Sequence, residues 1–542
     1  MKNISRLSIV PAMLLAMTTV TGCGKQRSIA YEVDLGVDVR GTTIQFWTPF
    51  GSGPQEPVSD LVEEFEKLTG VEVELESKGG YNDLRKAVTM ASTKGGYPHL
   101  VLGYPDHFAS YVKSDIIVRL DYYFENDVHN DTFEPAGESF KMSDFYADYM
   151  VENQTIEFDK EGKGYTLGVP FNKSTEVLIY NKTFFDWCIA QNITGIKVPE
   201  TYAEVESVGK AILKLLKDKS AYGKILASNG NVYDDIAAVS AASASVVLNL
   251  TGIHEATGGP TVDKTAFKPF SYDSQANLFI TTVRQNGGTY TEIDKNTGKG
   301  YLAFDSQETL NGLNTIKGLY DDKVFGIPAD WAEASYGSNP FKASKSVMTL
   351  GSSAGVANDA PAGTDAFKIA AAPVPYHSAD KKYVISQGTN LALLDKGSEQ
   401  QRVAAWQLLK FLSKYANGYF CSKTGYYPSC PYAEIAGADG TSGMWANMSE
   451  AFEDTDYATW LSEAKVSLNQ TDKIRAQTAE VNLNNYIADG STWVKFTDPP
   501  FSGSDVVREA VASITPWVFY NEKTAKGAIE AMYAELSDYV RK

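Results

Sequence analysis

The stretch Leu167–Lys182, LGVPFNKSTEVLIYNK, decides the fold. Apolar residues run up to Pro170-Phe171. Four polar or charged residues follow, Asn172, Lys173, Ser174 and Thr175, and then a second apolar run ends at Tyr180-Asn181-Lys182. Two buried strands are normally joined by a Gly- or Asn-Gly-rich turn. A row of hydrogen-bonding side chains between two segments that read as buried therefore needs a partner other than an apolar core.

Upstream, TTIQFW (42–47), EPVSDLVEEFEKLTG (56–70), VEVELES (71–77), YNDLRKAVTMASTKGG (81–96) and HLVLGY (99–104) read β-α-β-α-β. That pattern gives an open parallel sheet covered by helices. Such sheets bind ligands at strand carboxyl ends, here Trp47–Phe50, Ser77–Tyr81 and Gly103–His107. Downstream the pattern restarts. Helical periodicity covers 207–218, 308–322, 398–414 and the C-terminal end from Ser504. Strands fall at 346–351 and 368–376, and a hairpin turns at Asn296-Thr297-Gly298.

The first 22 residues form a signal segment: Lys2 and Arg6, an apolar run from Leu7 to Val20, then small residues before Cys23. Val20-Thr21-Gly22-Cys23 is lipobox-like, so Cys23 is expected to carry lipid and to anchor the chain outside the cytoplasmic membrane. The remaining 520 of 542 residues exceed one core. The expectation is 23–41 as a tether, 42–165 with 373–420 as one lobe, and 166–372 with 421–542 as the other. Crossovers would lie near 165–170, 365–375 and 415–425. Segments near 125–165 and 430–480 have no assigned role.

The net charge of −18 and the lack of a basic stripe argue against nucleic-acid binding. Five scattered histidines without metal-ligand spacing argue against a metal site, and nothing implies a cofactor. Cys421 and Cys430 bracket SKTGYYPS and are placed to pair across that loop, whereas Cys188 reads as a buried thiol. GSSAG (351–355) matches a nucleophile elbow, which leaves a secreted serine hydrolase as the alternative; a glycosidase is a further form of it. The one downstream histidine, His377, lies only 24 residues on, without room for the usual separate strands. Ser352 and Ser353 better suit holding a hydroxyl or an anion. A surface lipoprotein without a ligand is the third reading. Tyr426 and Tyr427 sit on a Gly/Pro-punctuated loop of the binding type.

VPFNKSTEVLIYNK resembles the hallmark of the family 1 extracellular solute-binding proteins of ABC importers, and within it the glycerol-3-phosphate-binding group. SVMTLGSSAGVAN (346–358), QGTNLAL (387–393), KTGYYPSC (423–430) and VVREAV (506–511) fall in the same order. The resemblance implies an α/β two-lobed clamshell of the type II periplasmic-binding-protein class. Its lobes interleave, and the hinge at 172–175 faces the ligand. It implies a non-catalytic, monomeric receptor for a sugar or polyol phosphate that delivers to permease subunits. The implied ligand contacts are Tyr81, Asn172, Ser174, Thr175, Ser352 or Ser353, Gly388, Tyr426 and Arg508, with Arg508 as a phosphate partner. Pro105 stands where the group has an acid, with Asp106 one position on. No Trp occurs in ASNGNVYDD (227–235), so Trp47, Trp331 and Trp445 are the candidate stacking platforms for a larger sugar.

Overall fold

The computed structural model describes residues 27–129, 132–134, 139–217, 225–249, 267–333, 336–363, 366–431, 457–488 and 490–541. Cys23, Trp445 and much of 430–480 lie outside them.

The first lobe follows the expected β-α-β-α-β order. Strands β1 (Thr43–Thr48), β2 (Glu72–Ser77) and β3 (Leu100–Gly103) are parallel, with β1 central. Helix α1 (Ser52–Thr69) buries Val58, Leu61, Val62 and Phe65. It stops at Gly70, whose φ of 71° suits a left-handed cap. Helices α2 (Tyr81–Ser92) and α3 (Pro105–Lys113) follow the carboxyl ends of β2 and β3.

The stretch that opened the reading is a single strand, β4 (Val169–Asn181), 13 residues long, with no turn. In the second lobe, β5 (Ile225–Ala227), β6 (Val232–Tyr233) and β7 (Val246–Asn249) form a small sheet. Strands β8 (Phe270–Tyr272), β11 (Phe325–Gly326), β12 (Met348–Ser352) and β13 (Ile369–Ala372) build onto β4, while β9 (Thr291–Asp294) and β10 (Lys299–Leu302) are the expected hairpin. Strand β14 (Tyr383–Leu393) pairs with β4, with β3 and with β15 (Val494–Phe496). One sheet, ordered β11-β8-β12-β4-β14-β3-β1-β2, thus runs through both lobes.

Buried side chains show where the chain changes core. On β4, Val169 and Phe171 pack in the first lobe and Val177 and Leu178 in the second. On β14, Val384 and Ile385 belong to the second core and Leu391 and Leu393 to the first. The exchange therefore falls at 172–176 and 386–390. The second of these is later than the crossover expected near 365–375, because β13 still pairs with β4 inside the second lobe. Cys421 and Cys430 remain in the first core, so the third exchange comes after 430 rather than at 421.

The segment 28–39 is no loose tether. Val33, Leu35 and Val39 are buried in the first core, and Ile29 bridges to Val118. Nor do Cys421 and Cys430 form a disulfide; both are buried thiols. Burial, with Cys430 close by, pushes the Cys421 thiol far above its usual range. Among the described residues no helix is long and apolar enough to cross a membrane.

Candidate ligand-binding cleft

At the hinge, β4 and β14 press together. Gly388 has a φ of 105°, and a Cβ there would sit 1.8 Å from the Asn172 carbonyl oxygen, so only glycine fits. A register shift between Thr389 and Asn390 leaves Phe171 as the extra residue opposite. Lys173 is fully buried and paired with Glu152, and its Nζ donates to Asn390 Oδ1 at 2.9 Å. Asn390 Nδ2 donates to Glu152 Oε1 at 2.9 Å, and Asn153 Nδ2 to Asn390 Oδ1 at 2.9 Å. Asn172 Oδ1 accepts from the Thr389 hydroxyl and, at 3.2 Å, from its amide. The Thr175 amide donates to Ser353 Oγ at 3.2 Å. Lys173, Glu152, Asn390 and Asn153 thus form one connected group and Asn172 ties β4 to β14 through Thr389, while Asn172 Nδ2 and Thr175 Oγ1 make no hydrogen bond among the described residues.

Beside this hinge, both lobes line a cavity of about 670 Å³. The first lobe supplies Gly80–Asp83 at the start of α2, and Tyr104–His107 leading into α3. The second supplies Ser274, Ala276, Tyr290, Thr291 and the segment 497–500. It also supplies Ser504, Asp505, Arg508 and Glu509 of the helix Ser504–Val511. Ile385–Gly388 of β14 form its back.

Of the residues singled out in the sequence, Tyr81, Asp106, Gly388 and Arg508 line this cavity. Tyr426 stands behind Tyr81, with the two hydroxyls 3.2 Å apart and the Tyr426 ring stacked on Phe420. Asn172, Ser174, Thr175, Ser352 and Ser353 do not line it. The first three and Ser353 are buried in the hinge packing, and Ser352 Oγ accepts from the Ala354 amide. Trp47 is buried in the first lobe with Lys78 3.7 Å above its ring, and Trp331 is also buried. Neither offers a face to the cavity. Tyrosines supply the rings instead: Tyr81 and Tyr104 pack with centroids 4.9 Å apart, and Tyr290 faces them from the other lobe. Tyr104 falls in the strand end Gly103–His107 singled out in the sequence; Tyr290, Thr291, Ser386, Asp498 and Asp505 were missed because their place in the cleft depends on two lobes meeting, which no local periodicity reports.

Arg508 is positioned through a chain of amides. One of its Nη2 hydrogens goes to Asn277 Oδ1. Asn277 Nδ2 donates to Gln387 Oε1 at 3.0 Å and to Glu176 Oε1 at 2.8 Å, and the Tyr272 hydroxyl donates to Glu176 Oε2 at 2.5 Å. Burial lifts the Glu176 carboxyl to about 7 against these donors. Burial likewise lifts Asp498 to about 6, opposed by Arg284 and Arg508. Across the cleft, Arg85 of α2 meets Asp505 at 2.7 Å. Lys495 of β15 lies 3.5 Å from Asp148 of the first lobe. Serine–histidine chemistry has no basis here: His377 stacks on Tyr202, burial pulls its imidazole down to about 4, and no hydrogen bond joins it to Ser352 or Ser353 among the described residues.

Residues 60–439 match the family model for the bacterial extracellular solute-binding protein. The chain belongs to this family. Solved structures share the two-lobed fold. The GacH receptor of Streptomyces glaucescens, solved unliganded and with acarbose, is 16% identical with a TM-score of 0.58; the alignment covers 92% of this chain and 98% of that one. The substrate-binding protein Lmo0181 of Listeria monocytogenes, in complex with cycloalternan, gives 16%, 0.60 and the same coverages. UgpB of Mycobacterium tuberculosis, in complex with glycerophosphocholine, gives 16%, 0.59 and again 92% and 98%. No curated protein matches the sequence. The family is one of solute-binding proteins, and Lmo0181 is an ABC substrate-binding protein.

Proposed function

We propose that this solute-binding protein is the receptor of an ABC sugar importer and captures a carbohydrate in the cleft between its lobes. The cavity itself carries the reading. Its roughly 670 Å³ is the size of a small-molecule site. Its lining combines tyrosine faces with short polar side chains, the pairing that suits a sugar's apolar faces and hydroxyl rim. The buried hydroxyls of Tyr290, Thr291 and Ser386 make no hydrogen bond among the described residues, so ligand hydroxyls can complete them.

Glycerol 3-phosphate fits less well, since Arg508 is already engaged by Asn277 and shares the cleft with several carboxylates. Delivery to permease subunits, a monomeric state and a lipid anchor at Cys23 complete the reading. A thermal-shift screen of sugars and glycerol phosphates tests it, since ligand at 100 times Kd adds about 2.7 kcal/mol of stability. A sugar should raise the melting temperature of the wild type and do so less in Arg508→Ala. Stabilisation by glycerol phosphates alone would overturn it.

A further inference from the structure

Resting on the carbohydrate reading, we propose that the cleft selects a positively charged ligand, an amine-bearing sugar, held between Asp106 of one lobe and Asp498 of the other. Six carboxylates line the cavity, but two are already matched, Glu152 by Lys173 and Asp505 by Arg85. Asp83 and Glu509 are exposed at its rim. Asp106 and Asp498 are the half-buried acids left inside. Among the described residues the Asp106 carboxylate accepts only the amide of His107, at 2.8 Å, and the His107 ring nitrogen stands off at 3.8 Å. Asp498 accepts no hydrogen bond among the described residues; Arg284 and Arg508 act on it only through space.

The two acids line the same cavity although they come from different lobes. Tyr290 lines this cavity with them. Its hydroxyl is buried and makes no hydrogen bond among the described residues. Tyr104 feels both Arg508 and Asp106. The cavity that both acids line thus also carries the rings of Tyr81, Tyr104 and Tyr290, and aromatic faces attract cations. An ammonium group brings three donors to a place with free acceptors. A phosphate monoester would bring negative charge into a lining whose one arginine is already shared.

Calorimetry on the chain without its signal segment tests this with three probes: β-1,4-linked glucose oligosaccharides, the matching 2-amino-2-deoxyglucose oligosaccharides, and glycerol 3-phosphate. The amino sugars should bind at least about 10-fold more tightly than their neutral counterparts, the effect of one charged hydrogen bond. In Asp106→Asn and Asp498→Asn that ratio should fall towards 1. A ratio is the proper readout, because damage to the fold weakens both sugars alike. Neutral sugars binding as tightly as the amino sugars, or a ratio untouched by both substitutions, would overturn this inference and leave the carbohydrate reading standing. Glycerol 3-phosphate binding while neither sugar series binds would overturn both, as would no binding at all.

Discussion

Two polar regions lie side by side in this protein and behave in opposite ways. At the hinge, Lys173, Glu152, Asn390 and Asn153 form a connected buried group and Asn172 pairs with Thr389; the atoms left there without a hydrogen bond among the described residues, Asn172 Nδ2, Asn153 Oδ1 and Thr175 Oγ1, belong to residues outside the cavity lining. In the adjoining cleft, Tyr290, Thr291 and Ser386 keep buried oxygens without a hydrogen bond among the described residues, and Asp498 accepts none there. Both regions are built of polar side chains. The contrast teaches that polar character alone does not mark a ligand site. Satisfied groups set geometry, and unsatisfied ones beside a cavity wait for a ligand.

Breaking the hinge should cost most. Lys173→Met leaves Glu152 charged and buried, and should lower stability by about 3–5 kcal/mol in denaturant titrations. Adding Glu152→Gln should recover part of that loss. A single variant as stable as the wild type would remove the hinge network from the account. Gly388→Ala comes next, at about 3 kcal/mol, since it combines a left-handed backbone with a direct clash on Asn172. A loss below about 1 kcal/mol would mean that β4 and β14 can part there.

The third effect links hinge to cleft. Glu176 keeps its proton up to about pH 7 in the folded protein, against an ordinary value of 4.5. Tyr272, Asn277 and Arg508 pull the value down, while burial and Asp273 push it up. The stability that this group contributes is thus full below about pH 4.5 and is lost as the pH rises towards 7. That difference is worth about 2 kcal/mol at roughly 1.4 kcal/mol per unit, discounted for relaxation. The wild type should lose melting temperature relative to Glu176→Gln over this window. Parallel pH curves for the two proteins would contradict it.

The smallest effect belongs to the contact across the cleft. Arg85→Ala removes the partner of Asp505, and should weaken sugar binding about 5-fold by favouring lobe separation. Small-angle scattering of the unliganded variant should show a larger radius of gyration. An unchanged radius and affinity would make the pair incidental.

The sequence made the class of fold and the location of the hinge legible, because both rest on periodic patterns: the β-α-β-α-β opening and the apolar runs flanking NKST. It pointed to Tyr81, Gly388 and Arg508 through the resemblance, and to Asp106 only as an acid one position off the family's pattern; all four line the cavity. It could not show that NKST is one unbroken strand whose side chains face β14, since the partner strand is more than 200 residues away. It could not reveal Tyr290, Asp498 or Ser386, whose meaning depends on two lobes meeting. Nor could spacing show that Cys421 and Cys430 stay reduced; both are simply buried in the first core.

Amide hydrogen exchange with and without a bound sugar tests the central contrast most directly. Protection gained on binding should concentrate at 80–83, 104–107, 385–388 and 497–508, where both lobes line the cavity. Residues 172–175, buried and held by β14, Tyr427 and Ser353, should be slow in both states and change little. Protection gained chiefly at 172–175, or around Trp47 and Trp331 with none at the cavity, would contradict the account.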